Sequence, residues 1–143
     1  MLSALQIQKH EFAEISIRPN PKITDGEREG TALKITNQFK AQPTDKEQTK
    51  WVARLRIELA EPEEDKVALY TGVIEVVGNF DLHKDVKAKD KATYACMNGG
   101  ALLYGVAREM LASLTSRCVH GLVELPSVDP RIFMPQKKEQ KKK

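Results

Sequence analysis

The segment from Asn98 to Phe133 constrains the fold most, because a long apolar pattern there runs into an abrupt series of helix breakers. Apolar residues recur at three- and four-residue spacing, which predicts an amphipathic helix rather than a strand. Gly99 and Gly100 are expected to open this helix, and Gly121 is expected to end it. The pattern is carried by Leu103, Val106, Ala107, Met110, Leu111 and Leu114.

An apolar loop is predicted after the helix. Leu122, Val123 and Leu125 follow Gly121, and the prolines at 126 and 130 oppose a new helix over this stretch. Such side chains either pack into the core or line an apolar surface that receives a partner. The sequence alone leaves both alternatives open.

Four earlier segments alternate apolar and polar residues, which is the two-residue period of a half-buried strand. They span residues 4–17, 31–41, 51–59 and 67–80. The alternation slips between His10 and Phe12, which predicts a bulge, and Gly72 and Gly78 indicate further bulges or close packing. Short polar links predict an antiparallel meander or Greek key, and residues 81–97 are expected to hold a short polar helix or a loop. Strands followed by helices predict an α+β fold with the helices on one face of the sheet.

Length and charge fit one soluble globular domain with a basic tail. The chain has 143 residues, of which 30% are charged. The formal net charge is +3, and residues 137–143 alone carry +4, so the remainder carries −1. No apolar run reaches the length of a membrane span, and the N-terminus has no signal-peptide core, which predicts a cytoplasmic protein. The two cysteines, Cys96 and Cys118, are expected to be reduced there.

No residue pattern predicts catalysis or metal binding. His10, His83 and His120 lie far apart without metal-ligand spacing, and no Cys-x-x-Cys pair is present. The glycine pair after Asn98 lacks the rest of a phosphate-binding signature. We therefore expect neither an enzyme nor a cofactor nor a metal site.

Several segments, in their order along the chain, resemble the SecB family of export chaperones. LQIQKHEFAEISI resembles the first strand of that family, WVARLRIEL the third and VALYTGVIEVVGNFDL the fourth. AREMLASLTSR, with the apolar loop after it, resembles the C-terminal half. The resemblance implies a single SecB-like domain over residues 1–135 and a disordered basic tail over 136–143. It also implies a four-stranded antiparallel sheet, one long C-terminal helix and a truncated second helix on one face.

The resemblance further implies a chaperone that holds non-native polypeptide in apolar grooves without ATP, assembled as a homotetramer (a dimer of dimers). The implied groove residues are Tyr70, Leu122, Val123, Leu125, Val128, Ile132 and Phe133. The implied oligomer interface comprises Leu103, Val106, Met110 and Leu114 on the helix.

The chain departs from this family where the translocase motor SecA would dock. Glu14 is the only acid retained among the three matching positions, the others being Arg18 and Val73. Pro135 stops the second helix early, and lysines replace the usual acidic C-terminus. These departures favour a SecB-like chaperone dedicated to an antitoxin of a toxin–antitoxin system. The alternatives are a general export chaperone that delivers preproteins to SecA and, less favoured, a nucleic-acid-binding module that uses the lysine tail.

Overall fold

Four antiparallel strands form a single sheet in the computed structural model of the chain. The structure describes residues 1–23, 33–62 and 66–135. The strands are β1 (Leu5–Pro19), β2 (Lys34–Pro43), β3 (Lys50–Ala60) and β4 (Tyr70–Leu82). Their order across the sheet is β1-β4-β3-β2. Strands β2, β3 and β4 are consecutive neighbours and β1 lies beside β4, which is Greek-key connectivity. The sheet predicted from sequence is confirmed, with β1 and β2 as its edges.

The alternation in β3 separates a buried face from a solvated one. Its inward side chains are at most 5% exposed, and they lie opposite equally inward residues of β4. The inward residues of β3 are Trp51, Ala53, Leu55, Ile57 and Leu59. The residues between them include Arg54, Arg56 and Glu58, which face away from the core because successive side chains of a strand point to opposite faces.

Strand β1 is bulged, as predicted, but at two positions that flank the predicted slip between His10 and Phe12. Its pairing with β4 shifts register twice, between Ile7 and Lys9 and between Phe12 and Glu14. Gly72 of β4 has a φ of 148°, and a Cβ there would collide with the carbonyl oxygen of Ser16. Glycine is therefore required at this close approach of the two strands.

The long helix, α1, spans Lys91–Thr115, so the predicted start at Gly99 is wrong. A 3-10 turn, η1, at Ala88–Asp90 leads directly into it. Ala95 and Cys96 already lie on its buried face, and Gly99 and Gly100 continue that face inside the helix. Gly99 and Gly100 therefore do not form a turn. They lie inside the helix, where the absence of side chains allows close packing.

The helix also ends six residues before Gly121, at Thr115, because the Thr115 side chain bonds to the returning chain. Its hydroxyl donates to the Leu111 carbonyl oxygen (2.8 Å) and accepts from the Val123 backbone amide (2.9 Å). Gly121 lies in the loop after the helix, where its φ of 80° is a backbone conformation that favours glycine. The predicted truncated second helix is a single 3-10 turn, η2, at Pro130–Phe133.

Parts of several sequence predictions fall outside the described ranges. These are the lysine tail over 136–143, residues 24–30 and 63–65 of the polar links, and residues 31–32 of the second predicted strand. Among the described residues, no helix is long and apolar enough to cross a membrane.

Candidate binding groove

An open groove of about 1270 Å³ runs along edge strand β2 and continues onto the segment after η2. The strand supplies its central residues, and residues 132–135 supply a second wall. Neighbouring strands and α1 complete the lining. The lining residues are Asn37, Gln38, Phe39, Lys40, Ala41, Gln42, Val52, Ala53, Arg54, Val77, Cys96, Ile132, Phe133, Met134 and Pro135.

The Phe133 ring anchors the second wall to the core. It is 2% exposed and meets the Phe39 ring edge-on, with the ring centroids 5.1 Å apart. The Tyr104 ring lies 6.3 Å from it on the other side. A Cβ at Gly100 would come within 2.6 Å of Phe133 Cβ, so this helical glycine makes room for the ring. Four residues from β2, α1 and η2 thus fix the position of the groove wall.

Asp129 orients the turn that carries Ile132 and Phe133. Its carboxylate accepts from the Arg131 backbone amide (2.9 Å) and from Arg131 Nε (2.9 Å). The Arg131 side chain lowers the pKa of Asp129 to about 2. The turn is therefore capped by a carboxylate that stays ionised over the ordinary pH range.

The loop between α1 and η2 is tied to the body by buried hydroxyl groups. Tyr70 donates to the Gly121 carbonyl oxygen (2.7 Å), and Tyr104 donates to the Pro126 carbonyl oxygen (2.6 Å). His120 Nε2 donates to the Asn20 carbonyl oxygen (2.8 Å). Burial raises the pKa of Tyr104, which keeps this hydroxyl a donor.

The residues implied for the client groove divide into three groups by exposure. Tyr70, Leu125 and Phe133 are buried in the protomer, at 2% exposure or less. Val123 and Val128 are half-buried. Leu122 and Ile132 are about half exposed, at 51% and 53%. Ile132 and Phe133 line the groove beside β2, whereas the other five lie outside its lining.

The sequence reasoning missed the contribution of β2 to the groove. Phe39 is half-buried on the inner face, and Asn37 and Ala41 lie on the same side of the strand. The available signal was the position of this strand, because an edge strand leaves the inner face of the sheet open beside it. The alternation of apolar and polar residues in β2 is, by itself, equally typical of a strand that packs into the core.

The four residues implied for the oligomer interface do not share one environment. Leu103 is fully buried within the protomer, and a Cβ at Gly78 would come within 2.8 Å of its Cδ2 atom. It therefore belongs to the contact between α1 and β4. Val106, Met110 and Leu114 are half-buried on α1. Their part in an interface remains a prediction.

Glu14, the retained acid at the matched docking positions, is engaged in a cross-strand charge network on the outer face. Arg56 Nη1 lies 2.6 Å from Glu14 Oε2, and Arg56 Nε lies 2.9 Å from Glu58 Oε1. Arg54 Nη1 lies 3.0 Å from Glu75 Oε2. The carboxylates raise the pKa of Arg56 further above its already high ordinary value. Glu14 is thus paired with Arg56 within the protomer.

No group of three or more potential metal ligands exists among the described residues. Both cysteines are free, and burial raises the pKa of the Cys96 thiol, which disfavours the reactive thiolate. The groove therefore offers shape, apolar surface and charge for binding.

Comparison with known proteins shows similarity in structure alone. No family model and no curated protein matches the chain. A SecB-like chaperone of Mycobacterium tuberculosis, solved in complex with a ChAD peptide from the HigA1 antitoxin, matches with a TM-score of 0.59 and 18% identity. The match covers 87% of this chain and 91% of that one. A protein of unknown function from Streptococcus agalactiae matches with a TM-score of 0.50 and 13% identity, covering 86% and 97%. The chain has the fold of a SecB-like chaperone, as the sequence resemblance implied.

Proposed function

We propose that this protein is an ATP-independent chaperone that holds non-native polypeptide in the groove along β2. The observation that carries the proposal is an open groove with an apolar side, on the fold of a chaperone solved with a bound peptide. A holding chaperone needs no catalytic group, because burying the apolar segments of a client lowers the concentration free to aggregate.

The groove suits an extended chain better than a compact ligand. It follows β2, a ten-residue strand whose second edge is unpaired among the described strands. Ile132 and Met134 expose 53% and 43% of their surface at its second wall. Phe39 and Phe133 supply an aromatic floor with little conformational freedom to lose on binding.

Within this proposal, the implied groove residues take two roles. Ile132 contacts the client over the buried Phe133, and the exposed Leu122 extends the apolar surface along the loop, with Val123 and Val128 beside it. Tyr70 and Leu125 support that loop from the core. The helix face that carries Val106, Met110 and Leu114 joins protomers into a homotetramer.

We assign the client to an antitoxin of a toxin–antitoxin system. The M. tuberculosis chaperone of the same fold holds an antitoxin peptide. In this chain, Glu14 is paired with Arg56, which leaves little free acidic charge for SecA. Delivery of preproteins to SecA is the alternative. Recovery of preproteins together with SecA after co-expression, instead of one small antitoxin, would favour that alternative.

The holding activity is tested by the aggregation of reduced insulin followed by light scattering without nucleotide. We expect the wild-type protein to suppress aggregation near equimolar protomer, and Ile132→Asn to suppress it several-fold less well. Val119→Asn is the matched control, because Val119 is 74% exposed and lies outside the groove lining. No suppression by the wild-type protein, at any ratio up to tenfold excess, would refute the proposal.

A further inference from the structure

The two sides of the groove along β2 differ in chemistry. On the inner face the lining is mainly apolar, with Phe39 and Ala41 from the strand and Ile132 and Phe133 from the second wall, and Asn37 is its polar member on β2. On the outer face the lining includes Lys40 and Arg54. No aspartate or glutamate lines the groove among the described residues.

The two cations face each other in the sheet. Lys40 and Arg54 are directly opposite in the antiparallel pairing of β2 with β3, so their side chains project from the same face. Like charges at opposite positions destabilise a sheet. Arg54 bonds to Glu75, but no ion pair involves Lys40 within the described part of the chain. An anion placed beside Lys40 would relieve this repulsion.

An extended segment lying along β2 presents its side chains alternately to these two sides, because successive residues of a strand point to opposite faces. We propose that the groove selects extended segments in which apolar residues alternate with aspartate or glutamate. The apolar residues meet Phe39 and Ile132, and the carboxylates meet Lys40 and Arg54. This inference rests on the proposed function and names the class of client segment that the site takes.

Four labelled nine-residue peptides test the inference by fluorescence anisotropy on the full-length protein. Three carry leucine at odd positions and differ only at even positions, which hold glutamate, lysine or serine. The fourth has the composition of the glutamate peptide with its leucines grouped at one end. We expect the alternating glutamate peptide to bind at least threefold more tightly than the serine peptide and tenfold more tightly than the lysine peptide. Its advantage should shrink in 0.5 M salt.

Lys40→Glu should remove the preference, since the new carboxylate would sit opposite Arg54 and engage it. The glutamate peptide should then lose at least threefold in affinity, while the serine peptide changes less than twofold. Lys84→Glu is the matched control, because it makes the same change of charge at an exposed residue outside the groove lining. Lys40→Gln provides a neutral second variant with an intermediate loss.

The outcomes separate this inference from the proposed function. Equal binding of the three alternating peptides, or tighter binding of the lysine peptide, would overturn the charge preference while leaving the holding activity intact. Equal binding of the grouped peptide would overturn the requirement for alternation. If Lys40→Glu lowers the mass of the protein in solution, β2 pairs with a second copy of the chain, and the inference is wrong.

Discussion

Phe133 and Gly100 form the contact that most directly decides the shape of the groove. The ring fits against the helix because residue 100 has no side chain. The sequence pattern predicted that Gly100 opens the helix, and it did not predict that this glycine is a packing site. Gly100 and Phe133 lie 33 positions apart in the chain. A local sequence pattern therefore cannot show that the ring needs the space at residue 100.

The same substitution at two glycines of α1 should have opposite effects on stability. Gly100→Ala places a Cβ against the Phe133 ring, and we expect it to cost about 1–3 kcal/mol of unfolding free energy through overpacking. A Cβ at Gly105 meets nothing within 4 Å, so Gly105→Ala should add about 0.5–1 kcal/mol from helix propensity. Urea unfolding measures both. Equal effects of the two substitutions would show that the Phe133 ring does not pack against Gly100.

Asp129 should make the η2 turn sensitive to acid. Its pKa in the folded protein, about 2, lies below the ordinary value of 3.8. The ionised carboxylate therefore stabilises the turn fully above about pH 4, and this contribution is lost as the pH falls toward 2. Carboxyl carbon shifts should report a midpoint near 2 in the wild-type protein and a higher midpoint in Arg131→Gln. A midpoint near 3.8 in both proteins would contradict the assigned pairing.

The strands were largely predictable because each carries a local two-residue period over most of its length. Strand β3, predicted over 51–59, spans Lys50–Ala60. The start of α1 was missed because residues 91–97 follow a polar, lysine-rich stretch and precede two glycines, and only Ala95 and Cys96 among them are fully buried. Packing on the sheet extends the helix through this stretch despite two internal glycines. Such tertiary stabilisation leaves little trace in a window of sequence.

The outer-face network should attach edge strand β1 to the centre of the sheet. Arg56 of β3 reaches across β4 to Glu14 of β1. We expect Arg56→Met to lower the urea midpoint at low ionic strength and to have less effect in 1 M salt, because exposed ion pairs are screened. Arg117→Met is the matched control on an exposed arginine of the loop. A loss that is the same at both salt concentrations would show that packing of the arginine stem, rather than charge, is responsible.

At the scale of the whole molecule, the order of the strand and helix patterns along the chain predicted the topology but not the groove. Antiparallel hairpins and a C-terminal helix follow from the order of the patterns. The groove arises where β2 meets a turn about 90 residues later in the chain, and the loop that leads to that turn is held by two tyrosine hydroxyls and a threonine. The sequence around each of these three polar residues does not predict such a contact.

The proposed assembly predicts a solution mass near four times that of the 16.1 kDa protomer. Met110→Lys should dissociate it, because an unpaired charge in a dry interface costs about 3–5 kcal/mol. Ser113→Lys, at an exposed position of the same helix, is the control. Multi-angle light scattering measures all three proteins. A wild-type monomer, or a Met110→Lys protein of unchanged mass, would exclude this helix face as the interface.

Hydrogen exchange with and without a bound unfolded polypeptide tests the central claim most directly. We predict that an excess of reduced, carboxymethylated α-lactalbumin slows exchange in residues 37–42 and 130–135, with little change in the distal turn at Ala88–Asp90. Ile132→Asn should weaken this protection. Protection elsewhere, with none along β2 and the turn after it, would contradict the assignment of the groove as the polypeptide-binding site.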